Sequence, residues 1–320
     1  MTTSLSGARP AMQPAPPPAP TPPAARPRWS ARSRRDFIVF LALALPNLVL
    51  IGTFTYLPLL NNIYYSTLNW TLGSASATVV GLENYVRFFT SADAPKVLGT
   101  TAIFTVTTVG GSMVLGLLVA VALNSRVRGT TFARAAVFAP YVLSGVGVGL
   151  VWLFIFDPGY GVLSWLLRGL GQQSPQWINN PELSLVMVII VYVWKNLGYC
   201  AVVFLAGLQS LPKDVMEAAA LDGAGSFRRF LSISVPLLSP TTFFLLITTM
   251  LSSLQAFDLI RIMTPLGSGT STLIYEAYLQ AFGAYNRAGY SAAISVVLFA
   301  ILLVITVLQL RFVERKVHYS

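Results

Sequence analysis

The sequence predicts an all-α polytopic membrane protein with six transmembrane helices, and two observations support this. First, hydrophobic residues make up 55% of the 320 residues and charged residues only 10%, whereas soluble domains carry about 25% charged residues. Second, six apolar stretches are each long enough to cross a bilayer core, which takes about 20 helical residues. A disordered chain is excluded because the apolar content is too high.

Each predicted span is an apolar run with few or no charges. The six runs are Phe37–Leu60, Val97–Leu123, Ala135–Phe156, Leu183–Leu208, Val235–Phe257 and Ala288–Leu310. Five contain no charged residue, and the fourth contains only Lys195. Before them, residues 1–35 are rich in proline, alanine and arginine without a helical or strand period, which predicts a disordered cytoplasmic tail. Residues 36–320 are expected to form the transmembrane domain.

The end of this tail offers a second interpretation. Ser33-Arg34-Arg35-Asp36-Phe37 is similar to a twin-arginine export signal. The apolar run that follows is too long for a signal segment, and five further spans come after it. We therefore interpret the arginines as a cytoplasmic anchor of the first helix.

The distribution of basic residues predicts the orientation of the spans. With a cytoplasmic N-terminus, fifteen of the 21 lysines and arginines fall in cytoplasmic segments, five fall outside, and Lys195 lies within the membrane. This is the bias expected from the positive-inside rule, so both termini are predicted to be cytoplasmic. The net charge of +10 is then mostly a topology signal. A nucleic-acid-binding protein is excluded because no water-exposed basic domain is present.

Several chemistries are excluded by composition. Cys200 is the only cysteine and His318 the only histidine, so neither a disulfide, a His/Cys metal site nor a Ser-His-Asp triad is expected. No GxxxxGK[ST] phosphate-binding loop occurs. We therefore expect no catalytic residue, metal or cofactor on this chain.

One cytoplasmic connection, residues 210–235, is patterned as a pair of short helices. We expect Ser210 and Pro212 to begin a helix that ends at Leu221. Gly223 suits the left-handed residue that terminates it, and Ser226 suits the cap of a second helix. One side of this pair presents small groups, which suits docking into a groove on a partner. From physics alone, a solvated structural hairpin is an equal alternative.

Asp222 lies at the wrong end of the first of these helices for its charge, because a helix dipole is negative at the C-terminus. A cation should therefore lie nearby. The candidates are Arg228 and Arg229 within the chain, or a basic residue on a docking protein.

The connection also carries a resemblance. The spacing of Glu217-Ala218-Ala219, Gly223 and Ile233-Ser234-Val235-Pro236 resembles the EAA loop of permease subunits of ABC importers, with Val235 in place of leucine. The resemblance implies the architecture of a type I ABC importer permease. It also implies that this coupling helix contacts an ATP-binding subunit through Glu217, Ala218, Ala219, Asp222, Gly223 and Ala224.

Other segments resemble the carbohydrate-uptake branch of this family. They are residues 151–159, 193–195, 222–224 and 272–275, and residues 309–319 are similar to permeases of sn-glycerol-3-phosphate importers. Residues 265–269 depart from the Gly-Gly-Pro that the branch usually carries. The implied function is the permease subunit of an ATP-driven importer for glycerol 3-phosphate or a glycerophosphodiester such as glycerophosphocholine. Import of a neutral sugar or oligosaccharide by the same architecture, and a stand-alone secondary transporter, are the alternatives.

The resemblance further implies the partners. They are a second permease subunit, two copies of an ATP-binding subunit that carry the ATP and magnesium, an extracytoplasmic solute-binding protein and the lipid bilayer. The expected location is the cytoplasmic or inner membrane of the cell.

Lys195 is the most informative residue within the predicted spans. An ionisable group in a membrane is costly and is by default a functional-site hypothesis. Lys195 lies beside Asn196 and Tyr199. It would either line the translocation path as a cation for a phosphate group, or pair structurally with Asp258 or with backbone carbonyls. The same two alternatives, path lining or structural hydrogen bonding, apply to Gln255 and Asp258.

Overall fold

The computed structural model describes residues 31–124, 129–267, 269–283 and 285–313. The predicted disordered tail lies mostly outside these residues, as do Arg126, Arg128 and the C-terminal residues from Glu314, including His318. The α-helices are α1 (Ala31–Ile51), α2 (Leu57–Tyr65), α3 (Glu83–Thr90), α4 (Ala94–Leu123), α5 (Thr130–Val142), α6 (Gly145–Phe156), α7 (Val162–Gly169), α8 (Pro181–Gln209), α9 (Lys213–Leu221), α10 (Ser226–Arg229), α11 (Val235–Leu237), α12 (Ser239–Leu254), α13 (Asp258–Met263), α14 (Leu273–Phe282) and α15 (Ala288–Leu308). Within the described residues, three π-helical turns occupy Gly52–Tyr56, Phe230–Ser234 and Gln309–Val313.

The chain divides into two compact units, residues 1–57 and residues 58–320. In the first unit, α1 is followed by the π-helical turn Gly52–Tyr56. The helix begins at Ala31, so residues 31–35 of the predicted tail are helical; arginine is a good helix former, and the helix extends past its apolar run. Apolar side chains such as Phe40, Leu43 and Phe54 are exposed, as expected of a helix whose solvent is lipid.

Five helices of the described residues are long and apolar enough to cross a membrane. They are Arg35–Tyr65, Ala94–Leu123, Pro181–Gln209, Ser239–Met263 and Ala288–Arg311. They coincide with five of the six predicted runs. The sixth would come from α5 and α6, if that bent pair is counted as one span.

The predicted run Ala135–Phe156 is not one helix, and this prediction was wrong. Helices α5 and α6 are bent by 99° relative to each other, because Leu143 adopts extended backbone angles and Ser144 is also non-helical. Pro140 lies in the last turn of α5 and has no backbone N–H to donate to the preceding turn, which weakens this end of the helix. We call residues 143–144 and the helix ends on either side the elbow.

The predicted run Val235–Phe257 is also divided. Helix α11 ends at Leu237, α12 begins at Ser239 with Pro240 in its first turn, and α13 begins only at Asp258. Proline is well suited to the first turn of a new helix. Gln255 is the C-cap residue of α12, and Asp258 is the first residue of α13.

The connections that the sequence predicts to be external contain three short helices in the described residues, α3, α7 and α14. One of these connections also holds a feature that was not predicted. Strands β1 (Leu68–Asn69) and β2 (Thr78–Val79) pair antiparallel, with Leu68 opposite Val79. The amide of Asn84 on α3 donates to the carbonyl of Leu68 at 2.9 Å and so ties this hairpin to the neighbouring helix.

The core of the second unit is built on α4 and α8, which pack along each other. One apolar cluster joins these two helices to α6, α13 and α14, and includes Phe104, Met187 and Tyr275. A second joins α4 to α14 and α15, and a third joins α4, α8 and α12 around Cys200 and Leu245. Cys200 is fully buried, as expected of a small apolar residue.

Candidate functional site

The connection between α8 and α12 forms the predicted helix pair, which we call the coupling hairpin (residues 210–235). Helix α9 ends in a Schellman motif: the amide of Ala224 donates to the carbonyl of Ala219 at 3.0 Å, and the amide of Gly223 donates to Ala220 at 3.1 Å. Gly223 has φ +79°, so the predicted left-handed residue is confirmed. This geometry satisfies carbonyls that the last turn of a helix otherwise leaves unpaired.

Three capping predictions for the coupling hairpin were wrong. Ser210 is the C-cap residue of α8, and its hydroxyl donates to the carbonyl of Gly207 at 2.8 Å. Pro212 precedes α9 as its N-cap residue instead of lying in the first turn. Gly225, with extended backbone angles, precedes α10, and Ser226 is already helical. Ser210 cannot begin α9 because α8 continues to Gln209 and Ser210 caps its end.

The surface of the coupling hairpin is open. No residue of α9 or α10 is buried. Glu217, Ala218, Asp222 and Gly223 are exposed, and Ala219 and Ala224 are half-buried. Two large apolar side chains flank the turn and were missed by the sequence reasoning: Leu221 is 89% exposed and Phe227 is 75% exposed. The sequence signal that could have identified them is a large apolar residue on each side of the glycine that ends the helix.

Asp222 has no cation beside it in the described part of the chain. Neither Arg228 nor Arg229 lies within 4.0 Å of the Asp222 carboxylate, and the ion pair that the described residues do form joins Lys96 and Asp93. Arg229 turns inward and donates to the carbonyl of Met216 at 3.4 Å. Of the two predicted sources of compensation, the basic residue on a docking protein remains.

Within the spans, Lys195 contacts the elbow. Its ammonium donates to the backbone carbonyl of Tyr141 at 2.7 Å and lies 5.4 Å from the centre of the Tyr141 ring. Tyr141 is in the last turn of α5, where carbonyls lack intrahelical partners and the dipole favours a cation. The contact between Lys195 and Tyr141 corresponds to one of the structural roles considered for Lys195, namely pairing with a backbone carbonyl. Lys195 makes no ion pair with Asp258 among the described residues.

Asn196 and Tyr199 line one small cavity of about 10 Å³, room for roughly one water molecule. The Tyr199 ring stacks on Tyr141, with centroids 4.9 Å apart, and its hydroxyl donates to Thr248 at 3.4 Å. The amide of Asn196 donates to the carbonyl of Tyr192 on its own helix at 2.8 Å. The structure thus brings Asn196 and Tyr199 together and connects them to Lys195 through Tyr141.

Gln255 and Asp258 do not line this cavity. Both side chains are exposed, at the break between α12 and α13. A Cβ added to Gly145 would come 3.2 Å from the Cβ of Asp258, so Asp258 lies against the start of α6. Lys195 and Asp258 therefore both contact the elbow, one at each of its helices, without contacting each other.

The sequence reasoning missed the uncharged polar residues inside the spans. The cavity is also lined by Thr108, Ser112, Tyr192, Thr249 and Ser252. The hydroxyls of Thr108 and Ser253 lie 2.8 Å apart and join α4 to α12. Hydroxyl residues at helical spacing within an apolar run were the signal that could have located this cluster.

No group of three or more His, Cys, Asp or Glu side chains that could hold a metal ion occurs in the described ranges. The polar residues around the small cavity are hydroxyls and an amide. Such groups can bind and orient a polar solute.

Replacing Lys195 by methionine should lower uptake of phosphorylated and neutral solutes by the same factor. Methionine leaves the Tyr141 carbonyl without its donor, and a hydrogen bond to a charged group stabilises by about 1.5–3 kcal/mol, so the elbow should loosen whatever the solute. Lys195→Arg is the control, because it restores a charged donor. The measurement is the ratio of the two uptake rates in membrane vesicles; selective loss of phosphorylated solutes would instead favour the path-lining alternative.

Most of the chain is similar to membrane components of transport systems. Residues 112–319 match a family model described as "Binding-protein-dependent transport system inner membrane component". The chain is 38% identical over 281 residues to the sn-glycerol-3-phosphate transport system permease protein UgpA of Agrobacterium fabrum, with 87% of this chain and 95% of the relative covered. It is 35% identical to the protein of the same name from Yersinia pestis, with the same coverage.

Solved structures with the same fold come from a bacterial ABC transporter. One is a transporter involved in import of the acidic polysaccharide alginate, with a TM-score of 0.77 and 20% identity over 88% of this chain and 96% of that chain. Another is the alginate transporter in complex with an alginate pentasaccharide-bound periplasmic protein, with a TM-score of 0.79 and 20% identity over 90% and 97%. At this identity the likeness concerns the fold alone.

Proposed function

Because the chain belongs to the family of binding-protein-dependent transport system inner membrane components, we propose that it is the ABC importer permease subunit through which glycerol 3-phosphate or a glycerophosphodiester such as glycerophosphocholine enters the cell. The observation that carries the solute assignment is the 35–38% identity, over 87% of this chain, to permeases named for sn-glycerol 3-phosphate. Import of a neutral sugar is less supported, and a stand-alone secondary transporter is not favoured by this family.

The partners follow from surfaces that the chain leaves uncovered. Gln255 and Asp258 are exposed and Lys195 is half-buried, although charged and amide groups facing lipid are costly. A second permease subunit would cover this face and leave a water-filled path between the two chains. An extracytoplasmic solute-binding protein would deliver the solute from outside, a role consistent with the periplasmic protein bound to the alginate transporter.

The coupling hairpin is the proposed contact with the ATP-binding subunits. Its exposed apolar side chains, Leu221 and Phe227, and its uncompensated Asp222 suit a groove that provides both apolar contact and a basic residue. ATP and magnesium would bind to those subunits, of which the importer would hold two copies. Closure of the ATP-binding subunits would move the hairpin, and the attached spans would rock between outward and inward access. The termini, the hairpin and these subunits are then cytoplasmic.

The test is uptake by the complete importer reconstituted in lipid vesicles. We expect ATP-dependent uptake and binding-protein-stimulated ATP hydrolysis with glycerol 3-phosphate or glycerophosphocholine, and at least tenfold less with a neutral disaccharide. Uptake of the disaccharide alone would overturn the solute assignment. Uptake by this chain without any ATP-binding subunit would overturn the ABC importer mechanism.

A further inference from the structure

A second concave surface lies apart from the coupling hairpin and the small cavity between the spans. It is formed by α13, the loop after it and α14. The cavity has a volume of about 720 Å³ and is lined by Arg261, Leu266, Tyr275, Tyr278 and Phe282, among others. This volume falls within the range of about 300–1,000 Å³ that small-molecule sites occupy. In the proposed orientation it faces the outside of the cell.

Arg261 is the charged group of this cavity, and its hydrogen-bonding edge is available. Its guanidinium lies 4.8 Å from the centre of the Tyr278 ring and 5.9 Å from that of Phe257. The described residues provide neither a carboxylate within 4.0 Å nor a hydrogen-bond acceptor for this side chain. Asp258, on the same short helix, is not paired with it, and Glu276 on α14 accepts a hydrogen bond from Gln280 at 2.8 Å.

The aromatic residues beside Arg261 are held in place. The hydroxyl of Tyr275 donates to the carbonyl of Pro265 at 2.6 Å, which fixes α14 against the loop that follows α13. The Tyr275 and Tyr278 rings are nearly parallel at 6.1 Å, and Phe282 packs on Tyr278 at 5.4 Å. Burial raises the pKa of Tyr275 although the charge of Arg261 opposes the shift, so the phenol stays protonated and remains a donor. Such preorganisation lowers the entropic cost of binding.

The geometry points to an external anion-binding site at which Arg261 takes the phosphate group of an organophosphate solute, with the rings of Tyr278 and Phe282 against the carbon skeleton of that solute. This inference rests on the proposed function and assigns the phosphate contact to one residue. A guanidinium presents a planar fork of donors that matches two phosphate oxygens, and stacking on Tyr278 keeps that fork oriented. Lys195, by contrast, is already engaged by the Tyr141 carbonyl.

The test uses thiol labelling in the complete importer. Cys200 is the only cysteine of the chain and is fully buried, so a Leu266→Cys substitution introduces one reactive thiol at the cavity, where Leu266 is 90% exposed. The measurement is the labelling rate of this chain by a membrane-impermeant thiol reagent, with glycerol 3-phosphate or glycerol present. We expect glycerol 3-phosphate to slow labelling at least fivefold and glycerol to have no effect.

The phosphate contact is then tested by adding a second substitution to Leu266→Cys. Arg261→Met should abolish the protection, and Arg261→Lys should retain part of it. Arg87→Met is the matched control, because Arg87 also lies over a tyrosine ring, at 5.2 Å from the centre of Tyr290, and neither of these residues lines the cavity; it should leave protection unchanged. We also expect Arg261→Met to lower uptake of glycerol 3-phosphate at least tenfold.

Three outcomes would overturn the site. Protection that survives Arg261→Met would show that another group binds the phosphate. Absence of protection in an importer that takes up glycerol 3-phosphate would show that the solute does not use this cavity. Loss of subunit assembly in Arg261→Met and in Arg261→Lys would show that Arg261 pairs with a neighbouring subunit. An importer that transports only neutral sugars would instead contradict the proposed function, so the two failures are distinguishable.

Discussion

Replacing Gly223 by valine should abolish ATP-driven uptake while the chain remains in the membrane. Gly223 has φ +79° and closes the Schellman motif that ends α9. A β-branched residue in this left-handed region costs on the order of 1–3 kcal/mol, so the turn should change shape and displace Leu221 and Phe227 on either side of it. The spans are not touched, because no atom lies within 4 Å of a Cβ built on Gly223. The measurement is co-purification of the ATP-binding subunit together with substrate-stimulated ATP hydrolysis.

The chain offers a matched control two residues away. Gly225 also has open space around it but has no left-handed backbone, with φ −62°, so Gly225→Val should keep assembly and hydrolysis near those of the unsubstituted importer. Glu217→Lys tests the same contact without backbone strain, because Glu217 is exposed on α9. It too should abolish assembly or stimulation. Unchanged stimulated hydrolysis in both Gly223→Val and Glu217→Lys would refute the coupling role.

Replacing Gly198 by valine should prevent the second unit from folding stably. Gly198 lies on α8 where α5 crosses it, and a Cβ at this position would overlap the backbone carbonyl of Val137. A backbone atom cannot move aside as a flexible side chain can, so the two helices would have to separate. Overpacking of this kind costs about 1–3 kcal/mol or more. The hydrogen bond between Lys195 and Tyr141, one turn away, should be lost as well.

The measurement for Gly198→Val is the thermal unfolding midpoint of the purified complex, together with the yield of detergent-stable protein. Gly110→Val is the control, because Gly110 is also within a membrane helix but no atom lies within 4 Å of its added Cβ. Gly198→Ala should give an intermediate loss. Equal stability of Gly198→Val and Gly110→Val would show that α5 and α8 are not as close as the structure places them.

Local patterns predicted the helices well because membrane spans follow from apolar length alone. Five of the six apolar runs correspond to helices long enough to span. The left-handed Gly223 was also predictable, since turn chemistry is a local property, and the short helices α3, α7 and α14 reflect amphipathic spacing, which is local as well. The candidate residues of the coupling hairpin and of the spans could be chosen from the same local patterns, but their roles remain predictions.

Breaks and contacts between distant residues were not predictable from these patterns. Residues 143–144 lie within an apolar run and residues 255–257 lie at the end of one, and hydropathy does not distinguish a straight helix from a bent one. The elbow depends on extended backbone angles at Leu143 and on a lysine 54 residues away in sequence. Likewise, the sequence does not distinguish Arg261 from the other arginines predicted to be external, whereas in the structure α14 packs beside it and places Tyr278 under its guanidinium.

The sequence by itself determined that this chain crosses a membrane several times, that it lacks its own phosphate-binding loop, and that residues 210–235 form a helix pair. These follow from composition, hydropathic length and short-range spacing, which act within a few helical turns. Only the tertiary structure decided that Lys195 caps the broken end of α5, that Asn196 and Tyr199 share a cavity with hydroxyls of α4 and α12, and that Arg261 lies beside aromatic residues of α14. Those relations depend on which helices pack together, and a one-dimensional pattern carries no distances between them.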